Sequence, residues 1–355
     1  MAIQPTPRDY RQYLDLIEGR RRGLWAATAR RLLWAASQGY GAAAWVRNRL
    51  YDRRLLRIEK APAPVVSVGN LTLGGTGKTP CVEFVARHYS DRGLRACILS
   101  RGYGAAAGPN DEALLLEENL PDVPHLQSGD RVELAKLAVE ELESEVLVLD
   151  DGFQHRRLAR NLDLVLIDAT RPWGLGCLSP RGLLRERPSE LRRARAVILT
   201  RCDLVPRDVL NGISQRVFRF APGLPIAETW FQPMSLVNGS EPLRSLDEAK
   251  ARPVAAFCGI GNPDAFYATL RRIGCDVRAS RDYPDHFQYT RADVEELQQW
   301  AQDQPSGGLV LTTQKDLVKL RLAKLGDRPL WALRIGLAFQ EGEDQVRELL
   351  DRALE

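Results

Sequence analysis

No run of about eighteen uncharged apolar residues occurs in this chain, so a membrane-crossing helix is not expected. No Cys-x-x-Cys pair occurs either. The six cysteines (Cys81, Cys97, Cys177, Cys202, Cys258 and Cys275) are scattered, which argues against a structural zinc or a disulfide frame and for a reducing compartment. The opening residues lack a short apolar core with a small-residue cleavage site, which argues against a secretory signal. No internal repeat or low-complexity tract is evident. Histidine is scarce: only His88, His125, His155 and His286.

What is present points to an ordinary globular chain. Its 355 residues suggest two or three domains, and an apolar content of 44% is ample for their cores. The net charge of +4 is unevenly spread. Residues 1–60 hold thirteen Arg or Lys against five Asp or Glu, a balance of +8, and the remainder carries about −4. A basic segment on a mildly acidic body suggests an anionic partner. Trp25, Trp34, Tyr40, Trp45 and Tyr51 stand amid arginines there. That mixture suits a helix lying in the interface of an anionic membrane surface, its rings at headgroup depth. The competing reading is a helical pair packed on the main domain with solvated arginines. Nucleic acid is not expected as a partner, because no recognised binding motif accompanies the charge.

Residues 61–225 alternate strand-like and helix-like patterns. Val65–Val68, Ala96–Leu99, Val146–Leu149, Leu164–Ile167 and Ala196–Leu199 are short β-branched runs, with helical patterns such as Val132–Leu142 between them. This is the signature of an α/β parallel sheet with helices on both faces. Residues 226–252 lack clear periodicity and read as a connector, with room for one extended piece. Residues 253–355 alternate again and read as a smaller α/β domain ending in a charged helix near Asp344–Leu354.

The sharpest motif is Thr72-Leu73-Gly74-Gly75-Thr76-Gly77-Lys78-Thr79-Pro80, directly after the first strand and before a helical pattern. It is a phosphate-binding loop. Its glycines let backbone N–H groups turn toward phosphate oxygens, Lys78 can reach the terminal phosphates, and the Thr79 hydroxyl can hold Mg²⁺. Pro80 falls in the first helical turn, where a missing N–H costs little. Thr72 stands where such loops usually begin with glycine.

The strand Val146–Leu149 ends in Asp150-Asp151-Gly152. A strand-end aspartate facing a phosphate loop holds Mg²⁺ directly or through water. Adjacent carboxylates on extended chain point apart, so the two differ in role, and one of them can serve only to cap the Gly152 turn. Gln154 and His155 follow immediately, and His155 is placed to bind a phosphate or orient a substrate. Taken alone, Asn110-Asp111-Glu112 reads as a solvated acidic turn and Arg131 as a helix-start surface charge. Asp285-His286 is an Asp-His pair that can orient an imidazole.

Together these residues resemble one family. The stretch Val68–Pro80, Ser100-Arg101-Gly102-Tyr103-Gly104, Asp150–Asp163, Gly174–Glu186, Asp285-His286 and Thr313–Lys319 are similar, in the same order, to the tetraacyldisaccharide 4'-kinases of lipid A biosynthesis. The resemblance implies a P-loop NTPase-like fold and ATP-dependent phosphorylation of the 4'-hydroxyl of a tetraacylated glucosamine disaccharide 1-phosphate. It implies Mg²⁺ as a cofactor, held by Thr79, Asp150 and Asp151, with Leu73 to Pro80 around ATP. It makes Asp111 the base for the sugar hydroxyl and His286 the residue that tunes it, beside Lys78, Asp150 and Asp151. Arg101, Glu112, Arg131, Gln154, His155 and Glu186 become candidates for substrate contact. It implies a peripheral enzyme on the cytoplasmic face of a bacterial inner membrane, touching lipid through residues 1–60. The chain departs from the family pattern at Asn110, Ala113, Arg181, Leu183, Phe287 and Gln314. A rival reading is a membrane-attached P-loop switch that hydrolyses nucleotide, because Thr200-Arg201-Cys202-Asp203 faintly resembles a guanine-reading motif.

Overall fold

The structure is a computed structural model that describes residues 7–102, 111–284 and 287–355. The chain begins with α1 (Pro7–Ile17) and α2 (Leu24–Asp52), followed by β1 (Val65–Asn70), α3 (Lys78–Ser90), β2 (Ala96–Ser100) and α4 (Asp111–Asn119). Next come β3 (His125–Gln127), α5 (Arg131–Glu140), β4 (Val146–Asp150), β5 (Leu162–Asp168), β6 (Ala196–Thr200), α6 (Arg207–Phe220) and β7 (Ile226–Val237). Then follow α7 (Asp247–Lys250), β8 (Pro253–Cys258), α8 (Pro263–Arg272), β9 (Asp276–Asp282), α9 (Arg291–Gln302), β10 (Leu309–Thr313) and α10 (Gln314–Leu320). The chain closes with β11 (Lys324–Leu325), β12 (Arg328–Glu341) and α11 (Glu343–Arg352).

These elements form two compact units. One comprises Met1–Ala107, Asn119–Trp230 and Leu337–Glu355; the other comprises Gly108–Glu118 and Phe231–Gly336. In the first unit the strands run in the order β3-β2-β4-β1-β5-β6-β7, paired in parallel. Every residue of β1, β2, β4, β5 and β6 is buried, as expected of strands covered on both faces. One face packs Val65, Leu99, Leu147 and Leu149 against Val132 and Ala135 of α5. Another core gathers Val165, Ile167, Val197 and Leu199 with Leu210, Ile213 and Val217 of α6. β1 sits between β4 and β5, where the chain's course across the sheet reverses, and ligands gather at carboxyl strand ends at such a point.

The second unit has its own parallel strands in the order β12-β10-β8-β9. Side chains of β8 alternate between two cores. Val254, Ala256 and Cys258 join Phe266 and Leu270 of α8, while Ala255 and Phe257 join Leu297 and Trp300 of α9.

Helix α2 is 29 residues long, about 44 Å at the usual helical rise. Its buried residues are Ala26, Ser37, Gly41 and Asn48, so it packs on the first unit along a thin seam of small and polar side chains. Leu24, Trp25, Leu32, Trp34 and Trp45 remain exposed. Among the described residues no helix is long and apolar enough to cross a membrane.

Three boundaries differ from the sequence expectation. The extended piece allowed within residues 226–252 is a 12-residue strand of the sheet, β7, which occupies Ile226–Val237. Polar residues and Pro233 hide this strand's pattern. Its Glu228 is buried because Arg207 pairs with it, and the Thr229 hydroxyl donates to the Leu199 carbonyl at 2.8 Å. The segment Gly108–Glu118 belongs with the second unit, where the Lys315 ammonium meets the Glu112 carboxylate at 2.8 Å. The closing helix belongs with the first unit rather than the second. The Tyr89 hydroxyl donates to the Leu350 carbonyl at 2.8 Å, and Arg347 lies 4.9 Å from the Phe84 ring centroid. His88 is buried there, 2.8 Å from Asp351.

Leu350 is fully buried although it lies near the end of the sequence. Leu350→Ala is therefore expected to destabilise the first unit by about 2–5 kcal/mol, the usual cost of emptying a core leucine site. Urea unfolding of wild type and variant measures it. A shift worth less than about 0.5 kcal/mol would make α11 a loosely attached tail.

Candidate active site at the phosphate loop

The loop between β1 and α3 follows from its residue types. Gly74 and Gly77 take φ of 104° and 89°, the left-handed region that favours glycine. Gly77 caps α3, so Lys78 and Thr79 open that helix with its free N–H groups at the loop. Interior bonds hold the shape. The Asn70 amide donates to the Thr76 hydroxyl at 2.8 Å, and the Thr200 hydroxyl donates to the Thr76 carbonyl at 2.9 Å. Arg201, paired with Asp168, donates to the Gly75 carbonyl at 3.0 Å. Thr200 and Arg201 thus brace the loop's backbone, a different task from reading a guanine base.

A second chain segment rides along the loop. The Arg185 N–H donates to the Leu71 carbonyl at 2.7 Å, and the Leu73 N–H donates to the Leu183 carbonyl at 2.7 Å. This places the Arg185 guanidinium against Asp151, with Nη1 at 2.8 and 2.7 Å from the two carboxylate oxygens. Lys78 Nζ lies 3.6 Å from Asp151 Oδ1. Burial pushes the Asp151 carboxyl up, but the Lys78 and Arg185 charges outweigh it and hold the group below the usual carboxylate range.

Asp150 and Asp151 differ in surroundings, as adjacent carboxylates at a strand end should. Asp150 is buried at the end of β4, opposite Val68 of β1. Burial, with the Asp150 charge adding to it, pushes the Cys81 thiol of α3 up to about 12. Thr79, at the start of α3, and Asp150, at the end of β4, each offer oxygen atoms of the kind a hard cation such as Mg²⁺ takes. Asp151 instead spends both oxygens on Arg185.

The remaining sequence candidates fall as follows. The Gln154 amide donates to the Asn70 carbonyl at 2.9 Å and accepts from Arg185 at 3.4 Å, tying the turn after β4 to the end of β1. Glu186 is buried and has cations and amides at both oxygens, so it sits inside the scaffold rather than at an open surface. Burial, then the nearby Arg131 charge, lowers His155 to about 4, so it is a neutral imidazole at ordinary pH. Arg131 is buried, not a surface charge; burial first, then the neighbouring Arg101 charge, lowers its pKa. Arg101 is exposed just past β2. Asp111 is buried as the first residue of α4, and Glu112 follows it in the ion pair with Lys315. Both belong to the second unit, whereas Lys78, Asp150 and Asp151 belong to the first. Asp285 and His286 lie outside the described residues.

Sequence reasoning gave Arg185 no role and read Thr200 and Arg201 only as part of a faint guanine-reading resemblance. Arg185 stood inside the stretch resembling the kinases, but nothing local announced that it would meet Asp151 from 34 positions away.

Comparison with known proteins completes the picture. Residues 29–355 match the family described as tetraacyldisaccharide-1-P 4'-kinase. A relative from Anaeromyxobacter sp. (strain K), named tetraacyldisaccharide 4'-kinase, is 40% identical over 342 residues, covering 91% of this chain and 90% of its own. One of the same name from Anaeromyxobacter dehalogenans (strain 2CP-C) is 41% identical over 340 residues, covering 90% and 89%. The crystal structure of LpxK from Aquifex aeolicus in complex with ATP aligns with a TM-score of 0.74 at 33% identity, covering 92% of this chain and 100% of that one.

The Asp151 ion pairs carry a pH signature. A carboxyl lowered on folding supplies stability that is present above its unfolded pKa near about 4 and is lost as pH falls through the folded value. Asp151→Asn should therefore lower the thermal unfolding midpoint at pH 7, with the gap to wild type narrowing below about pH 4. A gap that stays constant from neutral to acidic pH would show that Asp151 does not hold the cations in the folded protein.

Proposed function

The chain belongs to the tetraacyldisaccharide-1-P 4'-kinase family, and on that premise we propose that it transfers the γ-phosphoryl of ATP to the 4'-hydroxyl of a tetraacylated glucosamine disaccharide 1-phosphate, a lipid A precursor. One observation carries the reading: a phosphate loop whose Lys78 is held beside Asp151, in a chain that matches the family from residue 29 to 355. Phosphoryl transfer asks for positioning and charge neutralisation more than for covalent chemistry. The loop from Leu73 to Pro80 surrounds the ATP phosphates and turns its free backbone N–H groups toward them, and Lys78 offsets charge on the group being transferred. Thr79 and Asp150 would hold Mg²⁺, which would supply further neutralisation of the phosphate oxygens. Asp151 keeps Arg185 fixed and Lys78 within reach.

Asp111 accepts the proton of the sugar hydroxyl, with His286 tuning it. A carboxylate of ordinary pKa suffices, because a loose transition state asks for proton removal only late. Arg101 and Arg131 suit the phosphates of ATP or the 1-phosphate of the acceptor. His155, held neutral, suits a hydrogen bond rather than a charge contact. Glu112 steadies the start of α4 through Lys315.

The acceptor is a lipid, and α2 supports a peripheral seat on the cytoplasmic face of a bacterial inner membrane. Its exposed Trp25, Trp34 and Trp45 alternate with arginines, the composition of a helix lying in an anionic interface. Charge reversal at Arg30 and Arg31 should weaken binding to anionic vesicles, with wild-type binding falling as salt rises, since each basic residue near such a surface contributes about 1 kcal/mol. Equal sedimentation of both proteins at every salt concentration would remove the electrostatic anchor.

The decisive assay gives γ-labelled ATP and a lipid A disaccharide precursor in mixed micelles. A kinase consumes ATP in proportion to labelled lipid; a switch hydrolyses nucleotide with no acceptor present. In that assay Asp111→Asn should keep Mg²⁺-ATP affinity while the single-turnover rate drops by about two orders of magnitude or more. Asp150→Asn should weaken the response to Mg²⁺ as well. Equal loss of Mg²⁺-ATP binding in both variants would place Asp111 at the metal and the base elsewhere.

A further inference from the structure

Helix α2 does more than lie on the first unit. It grips the dipeptide Arg185-Glu186 at two points. The Tyr40 hydroxyl donates to the Arg185 carbonyl at 2.9 Å. About two turns further along, the Asn48 amide donates to Glu186 Oε1 at 2.8 Å and to Glu190 Oε2 at 3.1 Å. Arg47 adds a bond to Glu186 Oε1 at 3.0 Å. At Gly41, between them, an added Cβ would lie 2.6 Å from Leu178, so helix and loop are in close approach.

The other ends of these side chains lead to the chemistry. The other carboxylate oxygen of Glu186, Oε2, accepts from Arg193 at 2.5 Å and from Gln154 at 3.5 Å. Arg193 lies 4.1 Å from the Phe153 ring centroid and donates to the Phe153 carbonyl at 3.2 Å. Arg185 holds both oxygens of Asp151, and Asp151 faces Lys78. Every bond in this chain of contacts lies within the first unit.

Asn48 is 3% exposed, on a helix whose other buried residues are Ala26, Ser37 and Gly41. A packing seam alone would be served by an apolar side chain there. Burying a carboxylate among cations and an amide gives little net stability, but it fixes orientation when every polar group is satisfied. We propose that α2 is a working part of the transfer site, with Tyr40 and Asn48 as positioning residues that set Arg185 and Glu186 and through them Asp151, Gln154 and Lys78. The helix whose aromatic face meets lipid then belongs to the same rigid arrangement as the phosphate-binding lysine. This inference rests on the kinase reading.

The test compares wild type, Tyr40→Phe and Asn48→Leu with γ-labelled ATP and detergent-dispersed lipid disaccharide. A single hydrogen bond is typically worth about 2- to 12-fold in an equilibrium or rate. Tyr40→Phe should therefore lower kcat by about fivefold, and Asn48→Leu, which loses two bonds to carboxylates, by about tenfold or more. The ATP dissociation constant should stay within about twofold and sedimentation with anionic vesicles should not change. A kcat near wild type in both folded variants overturns the proposal, as does a loss of ATP affinity that accounts for the whole defect. If Asn48→Leu does not fold, Tyr40→Phe, which removes one oxygen atom, decides alone. If wild type labels no lipid, the kinase reading itself fails and this inference falls with it; full transfer by wild type and variants alike sinks only the inference.

Discussion

The turn after β4 comes so close to the end of β1 that most of the phosphate end follows from that approach. A Cβ added at Gly69 would lie 2.7 Å from the Phe153 nitrogen, and one added at Gly152 would lie 2.5 Å from the Ser67 hydroxyl. Two glycines facing each other's strand let the ends close. The chain then leaves β4 through Asp151 in the left-handed region, at φ 53°. An L-residue held there costs on the order of 1–2 kcal/mol. In return the two carboxylates part company, Asp150 buried at the end of β4 and Asp151 toward Lys78 and Arg185. The division of labour between two identical side chains is a consequence of backbone geometry.

The two cations on Asp151 are not equivalent. Arg185 meets both oxygens at hydrogen-bond distance, while Lys78 stands off at 3.6 Å. A carboxylate already satisfied by one guanidinium holds a second cation loosely. Lys78 is thereby kept near the loop without being consumed by it, which is what a side chain that must turn to an arriving phosphate requires. Arg185 can do this only because its own backbone is bonded to Leu71, beside the loop.

Much of this was legible in the residues. The runs at Val65–Val68, Val146–Leu149 and Ala196–Leu199 are uniformly apolar because helices cover both faces of their sheet, and that signal is local. The phosphate loop is likewise local, since its glycines, lysine and threonine are contiguous. β7 was legible only as one extended piece of a connector, because Glu228 is neutralised by Arg207 from 21 positions upstream and Pro233 imitates a break. Arg131 read as a surface charge because nothing in its neighbourhood announces burial. Glu186 read as a substrate contact, yet its partners come from Arg47, Asn48, Gln154 and Arg193. Interactions of that reach leave no periodicity, and only the fold discloses them.

The division of the sequence between the two units bears on how the protein is made. Leu337–Glu355 belongs with the first unit but is translated after the whole of Phe231–Gly336. The Leu350 carbonyl that accepts from the Tyr89 hydroxyl of α3 is therefore made only after the second unit. Domains that fold in order of translation complete themselves early. Here the unit that carries the phosphate loop is the first to begin and the last to be completed, because α11 is made only after the second unit.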